Sequence, residues 1–456
     1  MSDQSVRVAI IGGGPSGWAA AEALRHDRWN QRFDVTVYER NDYFGGKCRT
    51  VFTDGGPCNG KPGGYELGAG VLSKGSANNA DLERLLDLYA LKTHDIAEKN
   101  RQKYRFYNDG SPITARDAAD LALRHPITCM RVLWGLVRYR VNLWRYSRAP
   151  QLDYHGRPGA LNRPFSDVYP QALNALCCFG MQGFGYADTD DEGLTPALLY
   201  YHQYATPDVI INPVYSVDNG MQALWSTIAA TYQPGRARLN AQVVQVTRSE
   251  GGVQVQTKGD STDYDYLIVA VPLGPALRFL DLDEADELLI DRVRTNHYVT
   301  VLCRARGLVD IAHVHVRNAS QRSGLGGVVF AYKRYPDSDW ITVNLYVNAD
   351  DPPSDVQIVD IVERDLRAGM GAELIERQAA SVYHWPDYFP HLAPEDLNAG
   401  WYSKFERQMQ GRRRTLFVSS GLHMETVGAS VQYATAKTTQ IAERWLGDNT
   451  STPELS

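Results

Sequence analysis

The residues best able to do chemistry gather near the N-terminus. Gly12, Gly14 and Gly17 fall at the spacing G-x-G-x-x-G within Gly12-Gly13-Gly14-Pro15-Ser16-Gly17. In such a turn the first glycine permits a tight bend, the second lets backbone approach a pyrophosphate, and the third lets a helix pack closely on a strand. The N–H groups and positive dipole end of the following helix then favour an anion. Glu39 stands 22 residues beyond Gly17, where a carboxylate would accept ribose hydroxyls and disfavour a 2′-phosphate. Directly after it come Arg40 and the run Phe44-Gly45-Gly46-Lys47-Cys48-Arg49-Thr50. A second glycine pair with nearby cations suits a larger diphosphate whose other half runs on across the protein, as in FAD. In Tyr65-Glu66-Leu67-Gly68-Ala69-Gly70 the small residues Gly68 and Ala69 would let backbone approach a ribityl chain. No cysteine follows Cys303, so a cysteinyl flavin near the C-terminus is excluded while a histidyl link is not, and non-covalent FAD is the expectation.

These side chains need elements to hold them. Residues 6–11 read as a strand, the Ala-rich stretch at Ala19, Ala20, Ala21 and Ala23 as a helix, and 34–38 as a second strand ending at Glu39. Farther on, 242–246 and 252–256 alternate like a hairpin, 266–272 is a buried strand, and 415–421 is another. A helix opens at Gly428-Ala429-Ser430-Val431, and its dipole could face a flavin pyrimidine. Val244, Val271, Ser420, Gly421, Ser430 and Val431 are the cofactor contacts these later elements would add. The expected fold class is α/β, a Rossmann-type FAD-binding domain with a mixed-sheet substrate domain and a helical cap. Residues 1–100, 236–275 and 405–447 would form the discontinuous FAD domain and 101–180 the cap. Residues 181–235 and 276–404 would bind substrate, and 448–456 would be a disordered tail.

Composition narrows the field. With 456 residues, 43% of them hydrophobic, the chain can bury a sizeable core, and 47 Lys and Arg against 53 Asp and Glu leave a formal charge of −6. No global positive field would gather nucleic acid. Six cysteines without a C-x-x-C pair fit neither a disulfide framework nor a zinc site. With no basic n-region at the start and no run of 18 apolar residues, a cytoplasmic chain is expected. His313-x-His315 reads as structural rather than as a metal site. An apolar stripe at helical spacing, Ile127, Met130, Trp134, Val137, Val141 and Trp144, runs beside Arg131, Arg138 and Arg145. The stripe is expected to pack inward with its arginines solvated, although a basic amphipathic helix over 127–146 can also lie on a membrane.

The glycine fingerprint, Glu39, "GGKCRT" and "YELGAG" together resemble the flavin amine oxidase, phytoene desaturase and protoporphyrinogen oxidase superfamily. Many of its members carry Gly-Glu after the last strand, where this chain has Gly421-Leu422. Within that superfamily, "FGMQGFGYADTD" (179–190), "NGMQALW" (219–225), "AVPLGPALRFLD" (270–281) and "YFPHLAPEDLNAGWYSKFERQMQGRRRTLF" (388–417) are similar to the bacterial FAD-dependent polyenoic fatty acid isomerases. The resemblance implies a redox-neutral reaction, in which hydride leaves an allylic carbon for oxidised flavin and returns at another carbon, moving a double bond into conjugation. Such chemistry asks for a positioned C–H in an apolar, dry pocket rather than an acid–base dyad. The matching segments offer Phe179, Phe184, Tyr186 and Trp401 as pocket walls, with Tyr388, Phe389 and Tyr402 beside them. The resemblance also implies a cation before the "DG" turn for a substrate carboxylate, and Arg101, Lys103 and Arg105 are the candidates. The substrate expected is an unsaturated fatty acid or a related lipophilic molecule. An oxidase or desaturase that passes its electrons to oxygen or another acceptor is the alternative, and a non-catalytic flavoprotein is a third reading.

Overall fold

Five parallel strands carry the glycine turn. Their order across the sheet is Ala237–Arg238, Phe33–Tyr38, Val6–Ile11, Tyr266–Val269, Thr415–Phe417, and all pair in parallel. Parallel strands covered on both faces are apolar almost throughout, as Val8, Ala9, Ile10 and the run Leu267, Ile268, Val269 are, all fully buried. Two helices pack together beside them, Pro15–Arg25 and Val427–Asp448. The computed structural model describes residues 5–29, 31–58, 61–73, 79–95, 104–108, 110–146, 162–170, 173, 185–186, 214–308, 312–315, 326–335 and 338–448. The expected hairpin forms as Val243–Arg248 against Val253–Thr257.

The second large sheet is mixed. Its order is Glu373–Ile375, Arg294–Arg306, Trp340–Val347, Val328–Tyr332, Ala312–His315, Tyr104–Asn108, Ser111–Pro112, and Ser381–His391 pairs additionally with Arg294–Arg306. Every pairing is antiparallel except that of Ala312–His315 with Tyr104–Asn108. Side chains alternate across a strand. Val299, Val301 and Cys303 therefore meet Ile358, Val362 and Leu366 of the helix Asp355–Met370. Tyr298 points the other way, into a cluster with Tyr186, Tyr346, Tyr388, Phe389 and Met424. Burial in that cluster holds the Tyr298 phenol well above its usual pKa. The aromatic face of this sheet thus meets the segment leading into the C-terminal helix of the first.

The amphipathic helix forms over Pro126–Tyr146, but it is turned the opposite way from the expectation. Gly135 packs against Pro170 and Leu173. Tyr139 is buried against Phe165 and Tyr169, and Asn142 donates to the Tyr169 hydroxyl at 2.7 Å. The apolar stripe Ile127, Met130, Trp134, Val137, Val141 and Trp144 stands 54–70% exposed. Two small or aromatic residues on the narrower face dock the helix, and the broad apolar face is left to solvent. Among the described residues, no helix is long and apolar enough to cross a membrane.

Candidate active site

A cavity of about 350 Å³ opens where the parallel strands end, between Gly12, Gly14, Pro15 and Ser16 on one side and 384–388 on the other. Ligands of open parallel sheets bind at this carboxyl edge. The two sequence glycines named for different tasks separate clearly here. A Cβ on Gly17 would fall 1.9 Å from the Gly12 carbonyl oxygen, so the chain itself requires that glycine. A Cβ on Gly14 would meet nothing nearer than Gly46 Cα at 3.7 Å, and the backbone there, at φ −88° and ψ −171°, suits any residue. Only something occupying the cavity gives Gly14 a reason to lack a side chain. Gly14 is also the N-cap and has no side chain to satisfy the first N–H groups of the helix, which leaves them for an anion. This cradle fits a pyrophosphate.

Glu39 is buried and already oriented. Its Oε2 accepts the Gly13 N–H at 2.9 Å, and its Oε1 accepts the Asn41 backbone N–H at 2.9 Å and the Asn41 side-chain amide at 2.8 Å. That uses three of about four lone-pair directions of a carboxylate. The second glycine pair lies directly against the first turn, with the Gly45 N–H donating to Gly13 O at 2.8 Å. Arg40, Gly46, Lys47, Ala69, Val271, Ser420 and Ser430 also line the cavity.

Six of the expected contacts do not line it. Gly17 is spent on helix packing, and Gly68 lies against the Lys47 carbonyl. Arg49 places its guanidinium 3.9 Å from the centroid of the Tyr43 ring, so Tyr43 reaches the cavity in its stead. Val244 is 41% exposed on the solvent face of its strand, and the neighbouring Val243 is the lining residue. Gly421 accepts the Tyr402 hydroxyl at 2.9 Å, and Val431 is core.

At the far end, beside the expected Lys47 and Tyr388, the site holds Asp387 and Glu425, which sequence reasoning missed. Lys47 Nζ donates to Glu425 Oε1 and, at 3.1 Å, to the Asp387 carbonyl, and it lies 4.7 Å from the centroid of the Tyr388 ring. Glu425 sits two residues before the C-terminal helix, whose start is capped by Thr426 Oγ1 accepting the Ala429 N–H at 3.2 Å. The absence of Glu at Leu422 therefore coexists with an acid three positions on. Burial pushes the Glu425 carboxyl up, while the Lys47 ammonium and the Phe389 N–H pull it back. Burial, reinforced by Glu425, also drives the Tyr388 phenol far up, so it stays protonated at neutral pH.

The strand Ser381–His391 delivers Trp385, Asp387 and Tyr388 by an irregular register. Asn296 faces Tyr388 and Tyr298 faces Trp385, so three steps on one strand oppose two on the other. Such bulges re-aim side chains beside functional sites. Tyr186 packs on Phe389, with ring centroids 4.4 Å apart, and donates to the Glu425 carbonyl at 2.7 Å. It supports the wall from behind and does not line it. Trp401, expected in the wall, is instead core: buried, stacked on Phe405, its indole N–H on Leu289 O at 2.9 Å. Arg105 stands opposite His313 in the second sheet and is not among the lining residues. His313 is buried against the Tyr107 hydroxyl at 3.1 Å. Phe179, Phe184, Arg101 and Lys103 lie outside the described residues.

Comparison with known proteins adds a family. The model of flavin containing amine oxidoreductases matches residues 15–437. Polyamine oxidase 4 of Oryza sativa subsp. japonica is 27% identical over 280 residues, 59% of this chain and about half the length of that relative (51%). Among solved structures, a CLA-producing fatty acid isomerase from P. acnes superposes with a TM-score of 0.78 at 23% identity, over 96% of this chain and 99% of the other. Cyclohexylamine oxidase from Brevibacterium oxydans gives 0.68 at 16% identity, over 96% and 99%. At these identities the two structures speak for the α/β fold.

Proposed function

The chain belongs to the flavin-containing amine oxidoreductase family, and from that premise we propose an FAD-dependent isomerase that shifts a double bond in an unsaturated fatty acid or a related lipophilic molecule. The turn 12–16 would hold the pyrophosphate, Glu39 a ribose, and 426–430 the pyrimidine edge. When bound, FAD supplies a hydride acceptor that can return the same hydride. The observation that carries the reading is the wall at Lys47, Glu425 and Tyr388: the two charges cancel at hydrogen-bond distance and the phenol stays neutral. An aromatic wall in which Lys47 and Glu425 pair with each other suits a neutral alkene, and the chain's part is to orient the carbon chain and exclude water. The fatty acid isomerase likeness supports the same reading. Asp387, in the same wall, favours a second one, oxidation of an amine whose ammonium it would pair, and the polyamine oxidase relative agrees with that.

Incubation of the yellow protein with linoleic acid in the absence of air separates them. Oxygen-independent growth of conjugated-diene absorbance, without peroxide, is expected. In a parallel incubation under air, stoichiometric peroxide from putrescine or another amine, with oxygen as the electron acceptor, together with no diene from any polyunsaturated acid in either incubation, would establish the oxidase instead.

A further inference from the structure

The helix Pro126–Tyr146 is a membrane-contact device, and we propose that it seats this protein on an anionic lipid surface. Ile127, Met130, Leu133, Trp134, Val137 and Val141 share one solvent-exposed face, and Leu123 in the helix before is exposed as well, at 80%. Apolar faces of this extent are seldom left to water without a partner. The inward face is already occupied by Gly135 and Tyr139, so the exposed stripe is no misplaced core.

Charge identifies the partner. The chain as a whole is −6, yet this helix holds Arg131, Arg138, Arg140 and Arg145 and no acidic residue. At 3.6 residues per turn, Arg131 and Arg138 border the stripe on one side and Arg140 on the other. An apolar face flanked by arginines, with tryptophan on it, is the geometry of a helix lying in the headgroup region. A protein partner of the apolar face would have to cover a cationic border as well, whereas an anionic lipid layer meets both demands at once, its phosphates facing the arginines and its acyl chains the apolar stripe. Each arginine near such a surface strengthens partitioning about fivefold. The docking rests on this surface alone and stands whether or not the substrate is a lipid.

The test is co-sedimentation of the full flavin-loaded chain with phosphatidylcholine vesicles, with and without phosphatidylglycerol. Binding to the anionic vesicles is expected to exceed binding to neutral ones roughly tenfold or more, and to fall as salt is raised from about 0.15 M towards 1 M. The Met130→Ser/Trp134→Ser/Val137→Ser variant should lose binding to both, and Arg131→Glu/Arg140→Glu should lose only the anionic preference. Unchanged circular dichroism and flavin absorbance check that the variants fold. Equal binding to both vesicle types, or none, overturns the proposal. So does a concentration-dependent dimer that the serine variant abolishes without any vesicle binding, which would make a second copy the occupant. If a variant fails to fold, the lipid-charge and salt dependence of the wild-type chain decide.

Discussion

Gly14→Val is expected to give a folded protein that no longer holds flavin, with affinity lowered at least roughly a hundredfold, about 2.7 kcal/mol. The reason is the contrast between two glycines three residues apart. At Gly14 a Cβ finds its nearest neighbour at ordinary contact distance and the backbone is extended, so the added methyls project into the cavity and cost the apo fold little. At Gly17 the same Cβ would overlap the Gly12 carbonyl at 1.9 Å, forcing the helix off the strand. Gly17→Val should therefore lower the melting temperature of the apo protein as well as remove flavin. The measurement is flavin absorbance of the purified variants beside their apo melting curves. A Gly14→Val protein that stays yellow, or one that melts as early as Gly17→Val, would sink the pyrophosphate assignment.

The same comparison shows why part of this site could be read before the fold was known. Gly12, Gly14, Gly17, Glu39 and Gly46 lie within one strand–turn–helix–strand unit, so their relative positions follow from local geometry that spacing alone encodes. Glu425 and Tyr388 reach Lys47 across hundreds of residues. Tyr388 gets there because one strand bulges against another, and no periodicity in either segment announces that shift. Trp401 misled for a related reason: a matching segment places an aromatic in a family of sequences, but burial decides its task, and here it packs a helix onto Leu289. The amphipathic helix is the clearest case. Its period was legible, yet a period defines two faces without saying which meets protein. Gly135 and Tyr139 settle that through contacts with Phe165, Tyr169, Pro170 and Leu173, which lie on a separate segment.

Arg334→Met is expected to destabilise the protein by about 3–5 kcal/mol, a fall in melting temperature on the order of 10 °C. Arg334 and Glu66 are essentially without solvent exposure, at 1% and 2% for their side chains, and Nη1 donates to Oε1 at 2.9 Å. Arg334 Nη2 also donates to Val217 O at 2.6 Å. Glu66 Oε1 accepts the Met221 N–H at 2.9 Å, and Oε2 the Thr50 hydroxyl at 2.8 Å. One buried pair thus joins the strands at 50–66, the segment 217–221 and the second sheet, three residues before cavity-lining Ala69. Methionine fills much of the volume but leaves a carboxylate in a dry interior without its cation. The sign of the pH effect follows. Burial already raises the Glu66 carboxyl above its usual value, and Arg334 is the main group holding it down. Without the arginine, the folded protein takes up a proton at Glu66 at a still higher pH than the unfolded chain does. The loss should therefore be largest at neutral pH and shrink as pH falls towards the raised value. Melting curves at several pH values test this, with the Glu66→Gln/Arg334→Met double variant expected to recover part of the loss because it removes the unpaired charge. A deficit that ignores pH, together with a double variant no better than additive, would assign the effect to packing and not to the ion pair.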